Sequence, residues 1–195
     1  MPQARCRRYR GMFLVVMILA LALDLGSKEW IFRSLGMPNR EPPTWLIPGI
    51  LGLQTTLNEG ALFGMGAGWG VLFIGLSFVA IIGISYWVIR GGAAGDRLLC
   101  FALGMVTGGI LGNLYDRLGL PGLTWQPMAN VYAVRDFILV QYDGYEWAKW
   151  PNFNLADSFL VCGVILLIFH AYVWEPRRKK ASEQRCASEA APAGE

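Results

Sequence analysis

The sequence is poor in charge and nearly devoid of histidine. Only 16% of its 195 residues are charged, against about 25% in ordinary soluble domains, and 54% are hydrophobic. With a mean hydropathy of +0.40, most of the chain is expected in lipid rather than in a water-soluble core. The one histidine, His170, ends an apolar run beside a basic stretch, which leaves no Ser/His/Asp triad and no histidine-based metal site. Cys6, Cys100, Cys162 and Cys186 are too dispersed for a disulfide framework or a CxxC pair and read as unpaired apolar residues. The net charge of +3 belongs to the tails, where Arg5, Arg7, Arg8 and Arg10 open the chain and Arg177, Arg178, Lys179, Lys180 and Arg185 follow Trp174. Aromatic residues lie in uncharged stretches instead of among these basic ones, so nucleic acid is not an expected partner.

Four segments, 12–32, 69–89, 98–117 and 155–174, are apolar enough to cross a hydrocarbon core of about 30 Å as helices of roughly 20 residues. No charged residue lies between Glu59 and Arg90, whereas Asp24, Lys28 and Glu29 interrupt the first segment. Arginines followed by the apolar stretch 11–23 also resemble a secretory signal peptide. A retained helix is the preferred reading, because Asp24 and Lys28 are four apart on one face and form a structural ion pair within the membrane. It also gives an even number of spans. The positive-inside rule then puts both termini and the 90–97 turn in the cytoplasm.

The expected fold is an α-helical integral membrane protein with four transmembrane helices and a small outer-face β-like platform. Its parts are a cytoplasmic basic tail at 1–11, a membrane domain at 12–174 and a disordered cytoplasmic tail at 175–195. Outer segments 33–68 and 118–154 carry the platform, since Leu51, Leu53, Thr55 and Leu57 alternate with other residues and 131–140 is rich in β-branched and aromatic side chains. The stretch 118–135, with Gly119, Pro121, Gly122 and Pro127, reads as a flexible lid.

On this topology the polar side chains fall in one layer. Asp24 lies past the midplane toward the outer side; Asn113, Asp116 and Arg117 close the third span; Asn154 and Asp157 open the fourth; Asn58 and Asp136 lie in the outer segments. Ionisable groups in membrane spans are expensive and mark function by default. Singly, each has a plainer reading: Asn154 and Asp157 have capping-box spacing, and Asn113 and Arg117 suit backbone bridging. Gly104, Gly108 and Gly112 recur every four residues and read as a close-packing stripe.

Five blocks stand in order: Asp24-Leu-Gly-Ser-Lys28, Asn58-Glu-Gly-Ala-Leu-Phe-Gly64, Gly108-Gly-Ile-Leu-Gly-Asn-Leu-Tyr-Asp-Arg117, Val134-Arg-Asp-Phe-Ile138 and Phe153-Asn-Leu-Ala-Asp-Ser158. Together they resemble the lipoprotein signal peptidase, or signal peptidase II, family of bacterial aspartyl membrane endopeptidases, over about 12–174. The resemblance implies an enzyme that removes signal peptides from diacylglyceryl-modified prolipoproteins. It would cut before the lipid-modified cysteine at the outer face of the inner membrane. Carried over by motif, the catalytic pair is Asp136 and Asp157. Asn58, Gly60, Gly109, Asn113, Asp116, Arg117, Asn154 and Ala156 would bind substrate or support the pair, and Asp24 and Lys28 match as well. No cofactor or metal is implied; the expected partners are prolipoproteins and membrane lipids, acting on a monomer. Two departures stand out. The stretch between Arg117 and Asp136 is long for the family, and Arg135 replaces a usually apolar residue, which is expected to shift the dyad pKa downward.

Two carboxylates that share a proton can hydrolyse a peptide bond without metal, serine or thiolate, because like charges in contact cannot both ionise. Asp157, near a helix N-terminus that favours its charged form, is the expected base, and Asp136 is expected to start protonated. A proton-coupled transporter subunit is the alternative from another class, but it predicts ionisable groups strung across the membrane depth. An inactive peptidase-like scaffold predicts loss of one aspartate, and both are present.

Overall fold

The structure, a computed structural model, describes residues 8–60, 69–124, 130–142 and 145–190, the side chains at 145–148, 182 and 185–190 excepted. Its four long apolar helices are α1 (Arg10–Leu35), α2 (Gly70–Ile89), α3 (Arg97–Arg117) and α4 (Leu155–Phe169). The first three, and the continuous helical run Leu155–Ala181 that α4 opens, are long and apolar enough to cross a membrane. Large apolar side chains such as Leu19, Val71, Ile82 and Ile165 are exposed along them. In water such a surface would be costly, and in lipid it is the expected exterior.

At one end of the bundle lies an antiparallel sheet of β1 (Thr44–Ile47), β2 (Leu51–Asn58), β3 (Val134–Tyr142) and β4 (Tyr145–Phe153), in that spatial order. Strand β2 pairs Thr56 with Asp136 and Asn58 with Val134, with an irregularity between Leu53 and Thr56. Ile31 and Phe32 at the end of α1 pack with Phe137 of β3, tying the platform to the bundle. The platform expected from the alternating outer segments is therefore this sheet. Of the stretch read as a lid, 125–129 lies outside the described residues; the flanking Thr124 and Asn130 form a β-bridge.

Helix α3 is the hub because glycine lets it approach two neighbours. A methyl group at Gly108 would stand 2.6 Å from the Ala20 Cβ of α1, and one at Gly109 would stand 2.6 Å from the Ala156 carbonyl oxygen of α4. Gly104 and Gly112 also face α1, against Val16 and Asp24, and Gly163 of α4 returns the close contact against Val106. In lipid, where hydrophobicity does not drive helices together, such approach supplies packing and brings polar groups within reach. By contrast, only Val88 of α2 is buried.

At the other end Asp96 caps α3, accepting from the Leu99 N–H at 3.0 Å, and also pairs with His170 and Arg178. There the structure departs from the expected disordered tail. A π turn over His170–Trp174 leads into a further helix, α5 (Glu175–Ala190). Two physical reasons favour helix: the segment is rich in Ala, Glu, Lys and Arg, and Glu175 pairs with Lys179 at 2.8 Å one turn on. The wider π turn also relieves the clash that the Pro176 ring would make with the carbonyl of Tyr172, four residues earlier.

Candidate active site

Helix ends and one strand deliver the polar layer to a single place. Asp157 stands in the first turn of α4, where Asn154 is the N-cap: the Asn154 side chain accepts from the Asp157 N–H at 3.0 Å, and Asp157 Oδ2 accepts from the Asn154 N–H at 3.1 Å. This is the capping box that the spacing suggested, and it fixes the carboxylate at the positive end of a helix. Asp136 comes from the start of β3 and is 2% exposed. Its two carboxyl oxygens accept from Asn58 Nδ2 at 3.0 Å and Asn154 Nδ2 at 2.6 Å.

Burial pushes the Asp136 carboxyl up to about 7. The neighbouring Asp157 charge adds to the rise, while the bonds from Asn58 and Asn154 oppose it. The Asp157 carboxylate therefore lies close enough to act on the charge of Asp136. Asn113, near the end of α3, supports the second: its Nδ2 donates to Asp157 Oδ1 at 2.9 Å, and its Oδ1 accepts from Lys28 Nζ at 3.1 Å and Asn154 Nδ2 at 3.2 Å.

Lys28 is the centre of a buried ionic cluster. It pairs with Asp24 at 2.7 Å and with Asp116 at 3.1 Å, all three side chains being fully buried. Asp24 in turn accepts from the Ala156 N–H at 2.8 Å, one residue before Asp157. Lys28 thus has more partners than the single i,i+4 pair expected from the sequence. The Arg135 expectation is corrected. Alternation along β3 sends its side chain to Asp116, whose carboxylate lies 2.9 Å away, instead of toward its neighbour Asp136. The Asp136 pKa accordingly rises, not falls. Arg135 and its second partner Glu29, at 3.2 Å, escaped the reading of site residues. The unusual arginine beside a candidate catalytic residue was the available signal for the first.

Arg117 Nη2 donates to the Gly60 carbonyl at 2.9 Å, its guanidinium lies 5.2 Å from the centre of the Phe73 ring, and its buried Nε has no partner among the described residues. Gly60 N–H donates to Asn58 Oδ1 at 3.0 Å, closing a tight turn after β2. The rest of that block, 61–64, lies outside the described residues. Gly109 and Ala156 form the close α3 to α4 contact behind the site. A cavity of about 230 Å³ opens beside Asp157, lined by Asn58, Ser77, Ile110, Asn113, Arg117 and Leu160. Among the described residues no cluster of His, Cys, Asp and Glu is arranged to hold a metal ion.

Comparison with known proteins places the chain in a family. Residues 16–173 match the sequence profile described as Signal peptidase (SPase) II. A lipoprotein signal peptidase of Rhodopirellula baltica is 47% identical over 167 residues, which are 83% of this chain and 72% of that protein. One of Rhodococcus jostii is 37% identical over 86% of this chain and 75% of its own. A bacterial membrane enzyme solved by the in meso method superposes with a TM-score of 0.71 at 26% identity, over 89% of this chain and 94% of that one.

Proposed function

This chain belongs to the signal peptidase II family, and we propose that it cleaves prolipoprotein signal peptides with Asp136 and Asp157 as an aspartic dyad. It is a multi-pass membrane peptidase that removes signal peptides from prolipoproteins. The substrate is a prolipoprotein whose cysteine carries a diacylglyceryl group, and the cut falls immediately before that cysteine. The observation that carries the dyad is the sharing of Asn154: one side chain binds both Asp136 and the N–H of Asp157, while Asp157 returns a bond to its backbone.

Water between the carboxylates loses a proton to Asp157, and its oxygen bonds to the scissile carbonyl carbon as Asp136 gives its proton to the carbonyl oxygen. The resulting gem-diol collapses when the proton on Asp157 passes to the leaving nitrogen, the C–N bond breaks and a hydroxyl proton returns to Asp136. A carboxyl raised to about 7 by burial keeps that proton near neutral pH. The unpartnered Arg117 Nε and the cavity beside Asp157 suit an extended peptide running past the dyad. The site lies toward the outer leaflet of the bacterial inner membrane, with both termini cytoplasmic, an orientation that the basic tails favour.

The test is cleavage of a diacylglyceryl-modified prolipoprotein peptide in nanodiscs by the parent enzyme and by Asp136→Asn and Asp157→Asn, each checked for folding. Loss of activity in both well-folded variants is expected. Substantial activity in either overturns the dyad assignment.

A further inference from the structure

Four charged side chains, Asp24, Lys28, Asp116 and Arg135, are no more than 2% exposed and form one connected cluster immediately behind the dyad. Their formal charges sum to zero only because Arg135 is present. The contact is not a single salt bridge. Asp116 Oδ1 accepts from Arg135 Nε at 2.9 Å, and Asp116 Oδ2 accepts from the backbone N–H of the same residue at 3.1 Å. One carboxylate thus fixes both the side chain and the strand position of the residue that precedes Asp136. The cluster reaches the other aspartate through Lys28 and Asn113, and through Asp24 and the N–H of Ala156.

We propose that Arg135 is a positioning residue of the peptidase: it pins β3 to α3 through Asp116 and keeps the ionic cluster behind the dyad electrically neutral. The role rests on the dyad proposed above. Removing a paired buried charge leaves its partner uncompensated in a low dielectric, where a unit charge acts over several ångströms. With Arg135 gone, the cluster carries a net negative charge, which opposes ionisation of the neighbouring carboxylates and favours the proton on Asp136.

Among the described residues, the other charged groups facing the site do not substitute for it. On α1, Glu29 is half-exposed and paired with the exposed Arg33 as well as with Arg135. On α3, Arg117 lies on the cavity side with the Gly60 carbonyl as its partner. On α4 the facing group is Asp157 itself. On the platform, Glu59 is exposed and Lys149 donates to Gln54.

The experiment is the pH dependence of kcat/KM for lipopeptide cleavage in nanodiscs by the full chain and four variants. Arg135→Met keeps the length and apolar body of the side chain without its charge. Its acid limb is expected to move up by about one pH unit, the size of one uncompensated charge at an effective dielectric of about 20. Arg135→Lys retains the charge and is expected to keep the parent midpoint, whatever it loses in rate. Asp116→Asn, which leaves one positive charge in excess, is expected to move the limb down. The double variant Arg135→Met with Asp116→Asn is neutral again and is expected to return the midpoint to the parent value, even at a lower rate. If Arg135→Met folds and its profile superimposes on the parent, or if the double variant fails to restore the midpoint, the inference is overturned and Arg135 is only a strut. Failure of the dyad reading appears elsewhere, as activity in Asp136→Asn or Asp157→Asn.

Discussion

Asn154 and Asp157 hold each other at the head of α4, each side chain accepting the other's backbone N–H at 3.0 and 3.1 Å. The helix cap and the proposed catalytic base are therefore one unit, and the amide of Asn154 is shared between Asp136 and Asn113. Serine is also a good N-cap but has no amide to donate. Asn154→Ser is expected to retain near-parent stability while losing about 10- to 100-fold in kcat/KM, the scale of leaving a buried hydrogen-bonding partner unsatisfied. Asn154→Ala should lose the activity and, in addition, about 1 kcal/mol of stability. Thermal unfolding and cleavage rates measured on the same samples separate the two effects; equal stability of the two variants would show that the cap is not what holds α4.

The raised pKa of Asp136 has a stability signature. Between pH 3.8 and about 7 the folded protein keeps a proton that the unfolded chain has released. The stabilisation tied to this group is thus complete below pH 3.8 and is lost as pH rises through about 7. Across that window the parent should lose up to about 4 kcal/mol relative to Asp136→Asn, whose side chain does not titrate. Unfolding midpoints of both proteins from pH 4 to 8 check this; parallel curves would count against a protonated Asp136.

Glycine to alanine changes should sort by face. At Gly109 the added methyl meets the Ala156 carbonyl, so Gly109→Ala is expected to destabilise by about 1 to 3 kcal/mol through overpacking and to displace the head of α4. Gly83, in α2, has nothing within 4 Å of the same added atom. Gly83→Ala is expected to be neutral or mildly stabilising, since alanine is the better helix former. Detergent unfolding of both variants gives the comparison.

Orientation is open to chemical labelling. In a cysteine-free background, Glu41→Cys in the exposed loop before β1 should react with a membrane-impermeant maleimide in intact spheroplasts. Glu183→Cys in α5 should react only after lysis. The reverse pattern would invert the proposed topology.

Much of this arrangement is legible in sequence because lipid imposes a simple rule: apolar runs of about 20 residues become helices, and a polar side chain inside one needs a partner. Asp24, Asn113, Asp116 and Asp157 could be placed at one depth on that basis alone. Partner choice was less legible. Nothing local says that Lys28 serves Asp116 and Asn113 as well as Asp24, because those pairs exist only once the Gly108 and Gly112 stripe has drawn α3 against α1. The direction of the Arg135 side chain likewise depends on strand register and on which helix lies behind the sheet. Polar, charged composition favoured disorder at the C-terminal segment, yet a helix entering it from α4 needs no new nucleus, and propensity then suffices to extend it.

Helix α2 forms one wall of the cavity beside Asp157, through Ser77, yet it buries only Val88. The cavity is consequently bounded on that side by a helix that the protein itself grips weakly. A wall held this loosely is expected to answer to acyl-chain length and lateral pressure, so cleavage rates should differ between bilayers of different thickness; equal rates would count against it.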